Sequence, residues 1–137
     1  EKATVQFIVR SFDTAKLAEY EQRLRDLVET TIRQFPGITT GFVVKEQYRN
    51  MNEILKDRPE ITQLALDAMK LAGLNPELKS IRGGTDGSRM SYMGLPCPNI
   101  FTGMQAIHSK HEWIGVRDMK KAVETLAHLV TIFEENA

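Results

Sequence analysis

The sequence has few of the residues that usually mark disulfide, metal or membrane proteins. Of its 137 residues, one is cysteine, Cys97, and three are histidine. A single thiol excludes an internal disulfide framework and a zinc cage built from cysteines. No apolar run approaches the roughly 20 residues needed to cross a bilayer, and no charged-then-apolar signal segment opens the chain. We therefore expect no membrane partner and a cytoplasmic location.

Net charge is also absent. Eighteen basic residues balance eighteen acidic ones, and eight of each sign lie within the first 53 residues. A protein that binds the phosphate backbone usually carries a basic excess or stripe, so we expect no nucleic-acid partner. The first residues, from Glu1, lead directly into a strand-like pattern without an initiator Met. We interpret the chain as a piece of a longer protein.

Hydrophobic periodicity predicts a β-α-β unit in the first third of the chain. Residues 3–12 and 38–47 are rich in β-branched and aromatic side chains, and the first segment alternates in polarity as a half-buried strand does. Between them, apolar residues recur at three- and four-residue spacing to about Gln34, which predicts an amphipathic helix capped by Asp13 or Thr14.

The second part of the chain alternates predicted helices and strands. The polar segment 48–58 is interpreted as the boundary between two units, residues 1–50 and 54–137. The further predicted elements are a helix from Pro59 to Gly73, a strand at 78–81, a short helix holding Met90 and Met93, a strand at 99–102, and a helix from about 116 to 135. This alternation is typical of a parallel α/β layer, so the predicted fold class is α/β.

The segment Arg82-Gly83-Gly84-Thr85-Asp86-Gly87 is the first candidate site. Glycines let the backbone approach a ligand closely, a helix start offers N–H groups to an anion, and Arg82 could bind a carboxylate. A tight turn with Thr85 or Asp86 as the N-cap explains the same residues and is common. The segment is not a P-loop, because the Gly-Lys-Ser/Thr ending is missing.

The segment from His108 to Glu112 is the second candidate, because imidazole is the commonest metal ligand. A catalytic zinc needs at least three protein ligands, and the His-Glu-x-x-His spacing of helical metalloproteases is missing. On spacing alone, exposed loop histidines are the favoured explanation of the pattern. If His108 is a ligand, most of its partner ligands lie elsewhere.

Arg10 is the third candidate. By alternation it lies on the face opposite the odd, buried one, in register with Ile8 and Phe12, and a lone charge is unexpected beside these apolar side chains. An ion pair with Asp13 is the simple explanation, and a substrate carboxylate is the alternative. Cys97 has no base beside it, and the six methionines are spread at helical spacing. Both are interpreted as structural.

Three blocks in this order resemble a family of known enzymes. Residues 81–89, 94–103 and 108–112 are similar to the carboxy-terminal part of tripeptide aminopeptidases, and the segments 7–13 and 48–51 are similar as well. The resemblance covers nearly all of the chain. These enzymes belong to the co-catalytic zinc family that also contains acylases, dipeptidases and carboxypeptidases.

The resemblance implies a two-domain enzyme with two zinc ions in a catalytic α/β domain and a smaller α/β lid, which in relatives often dimerises. This chain would hold the second half of the lid, 1–50, and the last part of the catalytic domain, 54–137. A small peptide is the expected substrate, and a homo-oligomer is the expected assembly.

The resemblance also assigns roles to individual residues. It implies that His108 is a zinc ligand, that Arg10 on the lid binds substrate, and that Gly83, Gly84 and Thr85 belong to a substrate loop with Arg82 beside it. It places no catalytic residue in this chain, so we expect the chain alone to be inactive. The alternatives are an acylase or dipeptidase of the same family and a non-catalytic α/β binding or dimerisation module.

Overall fold

The computed structural model describes residues 1–81 and 84–136, and its regular structure is helical. Its five helices are α1 (Thr14–Ile32), α2 (Asn52–Leu55), α3 (Pro59–Leu71), α4 (Asp86–Tyr92) and α5 (Val116–Glu135). In the described part of the chain, β pairing is limited to one isolated antiparallel bridge between Gln105 and Trp113. The chain separates into two compact units, of which the first comprises 1–50 with 80–85 and the second comprises 51–79 with the residues from Asp86 on.

The predicted α/β fold class, with an α/β half-lid and a helix-strand catalytic part, is wrong for the residues that the structure describes. The four segments predicted as strands form none. They are 3–12, 38–47, 78–81 and 99–102. A strand is completed by hydrogen bonds to a neighbouring strand, and β propensity measures how well a side chain fits a pleated, half-buried surface. Val5 and Phe7 are instead 72% and 61% exposed, so alternation alone did not produce a sheet.

Helix α1 agrees with its sequence prediction. The Asp13 carboxylate accepts a hydrogen bond from the Ala15 N–H at 2.9 Å, as an N-cap does. Gly37, just beyond the helix, has a φ of +88°, a conformation that favours glycine. The Arg25 guanidinium lies 4.5 Å from the centre of the Phe42 ring, a cation–π contact between α1 and the segment that follows it.

Helices α3 and α5 pack against each other in the second unit. Pro59 begins α3 in the first turn, as predicted, and Gly73 follows its end with a φ of +74°. The Lys121 ammonium on α5 donates to the Ala72 carbonyl at the end of α3. The buried residues of the two helices and their caps are small, namely Ala65, Ala68, Ala72 and Thr125, which lets helix backbones approach closely.

A second face of α5 is apolar and exposed. Its six side chains recur at alternating three- and four-residue spacing: Val116, Met119, Val123, Leu126, Val130 and Phe133. This is the spacing of a helix seam that packs against another surface. Large exposed apolar patches of this kind favour association.

The segment 48–58, predicted to be a linker, contains a short helix. Leu55 of α2 is buried, and α2 contacts both α3 and α4. The Tyr92 hydroxyl of α4 donates to the Glu53 carboxylate at 2.7 Å. A four-residue helix is too short to show a hydrophobic period, which is why the pattern did not reveal it.

Candidate functional site

His108 lies on a loop that is closed at its base by paired backbone bonds. The Gln105 N–H donates to the Trp113 carbonyl at 2.8 Å, and the Trp113 N–H donates back to the Gln105 carbonyl at 3.2 Å. Inside this closure, the Ser109 N–H donates to the Ala106 carbonyl at 3.2 Å and the Glu112 N–H to the Ser109 carbonyl at 3.1 Å. The sequence therefore builds a short, tightly turned loop that presents His108 to solvent.

The backbone of this loop is strained at two residues. Ala106 has a φ of +50° and His108 a φ of +65°, in the left-handed region that non-glycine residues seldom adopt. A residue in this conformation destabilises the folded chain by on the order of 1–3 kcal/mol. It persists where the surrounding structure holds it, often at functional sites. The Glu112 carboxylate provides part of that hold by accepting a hydrogen bond from the His108 N–H at 2.6 Å.

The described residues do not make a complete metal centre. No group of three or more His, Cys, Asp or Glu side chains in residues 1–81 and 84–136 is arranged to hold a metal ion. A catalytic zinc needs three protein ligands. His108 offers one imidazole, and His111 is exposed, with its N–H donating to the Ser109 hydroxyl at 3.1 Å.

The glycine-rich segment is described from Gly84 on, because Arg82 and Gly83 lie outside the described residues. A Cβ added at Gly84 would lie 2.1 Å from Cδ1 and 2.3 Å from Cε1 of the Tyr48 ring. These atoms belong to the ring itself rather than to the end of a flexible side chain, so an added methyl group would have to displace the ring. Gly84 therefore has to be glycine for a packing reason, and Thr85 follows it immediately before α4.

The third glycine of the motif also has a packing role. A Cβ at Gly87 would lie 2.7 Å from the Cys97 carbonyl oxygen. The buried Ser91 hydroxyl donates to the Gly87 carbonyl at 2.7 Å and accepts from the Cys97 N–H at 3.0 Å. Gly87 and Ser91 thus attach the Cys97 segment to α4, and the structure gives Cys97 structural contacts.

The predicted substrate residues that are described fall in one compact unit. Arg10 is exposed and belongs to the first unit together with Gly84 and Thr85, whereas His108 belongs to the second. The Asp13 carboxylate, the simple ionic partner considered for Arg10, accepts from the Ala15 N–H as the cap of α1.

Two residues of the first unit were missed by the sequence interpretation. Tyr48 and Asn50 were assigned to a linker, yet the Tyr48 ring covers Gly84 and the Asn50 amide donates to the Phe12 carbonyl at 2.8 Å. An aromatic ring in an otherwise polar segment was the available signal. Glu112 was noted only as part of a motif, and its bond to His108 was not foreseen.

Comparison with protein families defines the class of this chain. Residues 13–132 match the model of Peptidase family M20/M25/M40. The match extends over most of both compact units, including the loop that carries His108 and the segment that carries Tyr48. The chain therefore belongs to this family of peptidases.

The individual relatives to which the chain is similar are proteins named Peptidase T. The chain is 40% identical over 135 residues to "Peptidase T" of Clostridium perfringens strain SM101, a match that covers 98% of this chain and 33% of the relative. It is 42% identical to "Peptidase T" of Shewanella pealeana over 136 residues, 99% of this chain and 33% of the relative. For "Peptidase T" of Exiguobacterium sibiricum the identity is 42% over 137 residues, 100% of this chain and 33% of the relative.

The chain thus spans about a third of the length of these relatives. Within its described residues, none of the helices combines the length and the apolar character that a membrane span needs.

Proposed function

We propose that this chain is part of a zinc-dependent aminopeptidase that removes the amino-terminal residue from tripeptides in the cytoplasm. The observation that supports this most directly is the similarity to proteins named Peptidase T over nearly the whole chain. The family match supports peptide hydrolysis as the type of reaction. The full-length protein, rather than these 137 residues, would carry out the reaction.

In this proposal, residues 1–50 belong to a lid domain and residues 54–137 to a catalytic domain. The boundary between the two compact units after Asn50 supports this division, although residues 80–85 group with the first unit. The exposed apolar face of α5 favours association, which agrees with a homo-oligomer.

His108 would supply one imidazole ligand to a two-zinc centre. The support is its place on a strained loop that Glu112 holds through a hydrogen bond. The described residues hold no group of three metal ligands, and in this proposal the other ligands and the general base come from other parts of the enzyme.

Arg10 would bind the free carboxylate of the peptide. A guanidinium presents a planar fork of N–H donors that matches a carboxylate, and a contact of this kind measures the distance from the scissile bond to the end of the substrate. Gly84 and Thr85, with Arg82 and Gly83, would form the adjacent substrate loop. Arg10, Gly84 and Thr85 share one compact unit, as a common substrate clamp requires.

The experiment is hydrolysis of a tripeptide by the full-length peptidase, with metal content measured on the same samples. His108→Ala should lose zinc and activity together, whereas the matched variant His111→Ala should keep both. Retention of two zinc ions and full turnover in His108→Ala would end the assignment of the ligand.

The substrate class is tested in the same assay. Tripeptides should be cleaved in preference to dipeptides and N-acyl amino acids. Preferential cleavage of an N-acyl amino acid or a dipeptide would identify the protein as an acylase or dipeptidase instead. The isolated chain should be inactive with zinc, and chelator-sensitive release of amino-terminal residues by it would contradict the proposal.

A further inference from the structure

Residues 48–50 connect two parts of the first unit that are distant in sequence. At one end, the Tyr48 ring lies against the backbone of Gly84. At the other end, the Asn50 side-chain amide donates to the Phe12 carbonyl at 2.8 Å, two residues from Arg10. We call residues 48–50 the Tyr48–Asn50 bridge.

The contact between the Tyr48 ring and Gly84 restricts which residues fit at both positions. Any side chain at 84 would overlap Cδ1, Cε1 and Cγ of the ring, at 2.1, 2.3 and 2.5 Å from its Cβ. Real Cβ atoms do not approach that closely, so the ring and a larger residue at 84 exclude each other. The half-buried ring therefore fixes where the backbone of the loop can lie.

The hydrogen bond from Asn50 to the Phe12 carbonyl restrains the segment that carries Arg10. The segment 3–12 forms no strand, so it is not part of the regular backbone pairing of a sheet. A side-chain amide that donates to a main-chain carbonyl supplies a restraint on such a segment. The bridge thus contacts two pieces of chain through neighbouring residues. One is the segment 3–12, called here the Arg10 segment, and the other is Gly84 with Thr85, called here the Gly84 loop.

We propose that Tyr48 and Asn50 are positioning residues, which hold the Gly84 loop and the Arg10 segment in one arrangement so that both bind the same substrate carboxylate. This inference rests on the proposed function, because it takes the carboxylate as the group that is bound. Displacement of a binding group by about 1 Å can lower the rate about 100-fold. The bridge would act without touching substrate.

The test compares Tyr48→Ala with Tyr48→Phe in the full-length peptidase. Tyr48→Ala removes the ring and should raise KM for a free tripeptide by about tenfold or more, with a smaller change in kcat. Tyr48→Phe retains the ring and should behave like the wild type. Cleavage of the carboxy-terminally amidated tripeptide, which has no carboxylate, should change little in either variant.

A second pair of variants tests the shape of the contact. Gly84→Ala should raise KM in the wild-type background because its methyl group meets the ring. Its effect should be several-fold smaller in the Tyr48→Ala background, where space is available. Asn50→Asp, which cannot donate to the Phe12 carbonyl, should raise KM for the free tripeptide. Independent effects of Gly84→Ala and Tyr48→Ala would overturn the proposed contact.

A spectroscopic readout on the full-length peptidase, independent of its activity, separates this inference from the proposed function. By NMR, Tyr48→Ala should shift the Gly84 signals through loss of the ring current and should shift those of Thr85, whereas Tyr48→Phe should leave them in place. Unchanged Gly84 and Thr85 signals in Tyr48→Ala would overturn the inference whatever the activity. A wild-type enzyme that cleaves no tripeptide would overturn the proposed function alone. An active enzyme in which Tyr48→Ala leaves KM unchanged, or raises KM equally for free and amidated peptides, would overturn the positioning role.

Discussion

The Glu112 carboxylate accepts a hydrogen bond from the backbone N–H of His108 at 2.6 Å, and His108 is one of two non-glycine residues with positive φ among those described. The side chain that stabilises the loop and the backbone that carries its strain are therefore in direct contact. The backbone bonds between Gln105 and Trp113 close the same loop.

Removal of this carboxylate should destabilise the loop. Glu112→Ala should lower the free energy of unfolding of the isolated chain by about 1 kcal/mol, because the His108 N–H loses its acceptor. Glu112→Gln keeps an acceptor oxygen and should lose less. His108→Gly should have the opposite effect, since glycine adopts this φ without strain. Urea denaturation measures all three, and a Glu112→Ala variant as stable as the wild type would contradict the role of the bond.

Replacement of Arg10 by lysine should weaken the binding of peptides with a free carboxylate. The lysine keeps the charge but lacks the planar pair of donors, so kcat/KM of the full-length enzyme should fall, by roughly 2–4 kcal/mol if the substrate carboxylate is buried on binding and is left unpaired. Arg23→Lys, on the exposed surface of α1, is the control and should have no effect. If the wild type cleaves amidated tripeptides as well as free ones, Arg10 does not bind the carboxylate.

Replacement of Thr125 by valine should stabilise the second unit. The Thr125 side chain is fully buried, and its hydroxyl has no hydrogen-bond partner among the described residues. Valine has nearly the same shape without the desolvated oxygen, so the free energy of unfolding should rise by about 1 kcal/mol. Thr131→Val, on the exposed side of α5, provides the comparison. A decrease in stability for Thr125→Val would show that the hydroxyl is satisfied.

The ion pair between Lys121 and Glu124 should be visible in a pH titration. The hydrogen bond from the Lys121 ammonium is the largest influence that lowers the pKa of Glu124 below its ordinary value of 4.5. A lowered pKa means that the pair stabilises the folded chain fully above the unfolded value and that this contribution is lost as the pH falls through the folded one. In Lys121→Met, the NMR titration midpoint of Glu124 should rise toward 4.5. An unchanged midpoint would show that the ammonium does not influence Glu124.

The parts of the fold that were predicted from the sequence are those that depend on local signals. The carboxylate of Asp13, the proline at 59 and the glycine at 73 mark helix ends through contacts within a few residues. The predicted strands failed because a strand requires a neighbour, and the alternation of residues 3–12 says nothing about whether one is present.

The candidate site divides in the same way. The motifs around Gly84 and His108 were found because they are continuous in sequence. The contact of Tyr48 with Gly84 was not, because the residues are far apart along the chain and share no pattern. The strain at His108 is a backbone property, which the identity of the side chain does not reveal.

The small residues of the helix pair α3 and α5 should be sensitive to enlargement rather than to truncation, the opposite of most buried positions in a protein core. Ala65, Ala68 and Ala72 are already as short as a chiral side chain can be, so alanine scanning, the usual survey of buried positions, has nothing to remove there. Each added methyl group would instead wedge the two helices apart. We expect natural variation at these three positions to be restricted to alanine, glycine and serine, and a survey by enlargement would find the contact that a survey by truncation would miss.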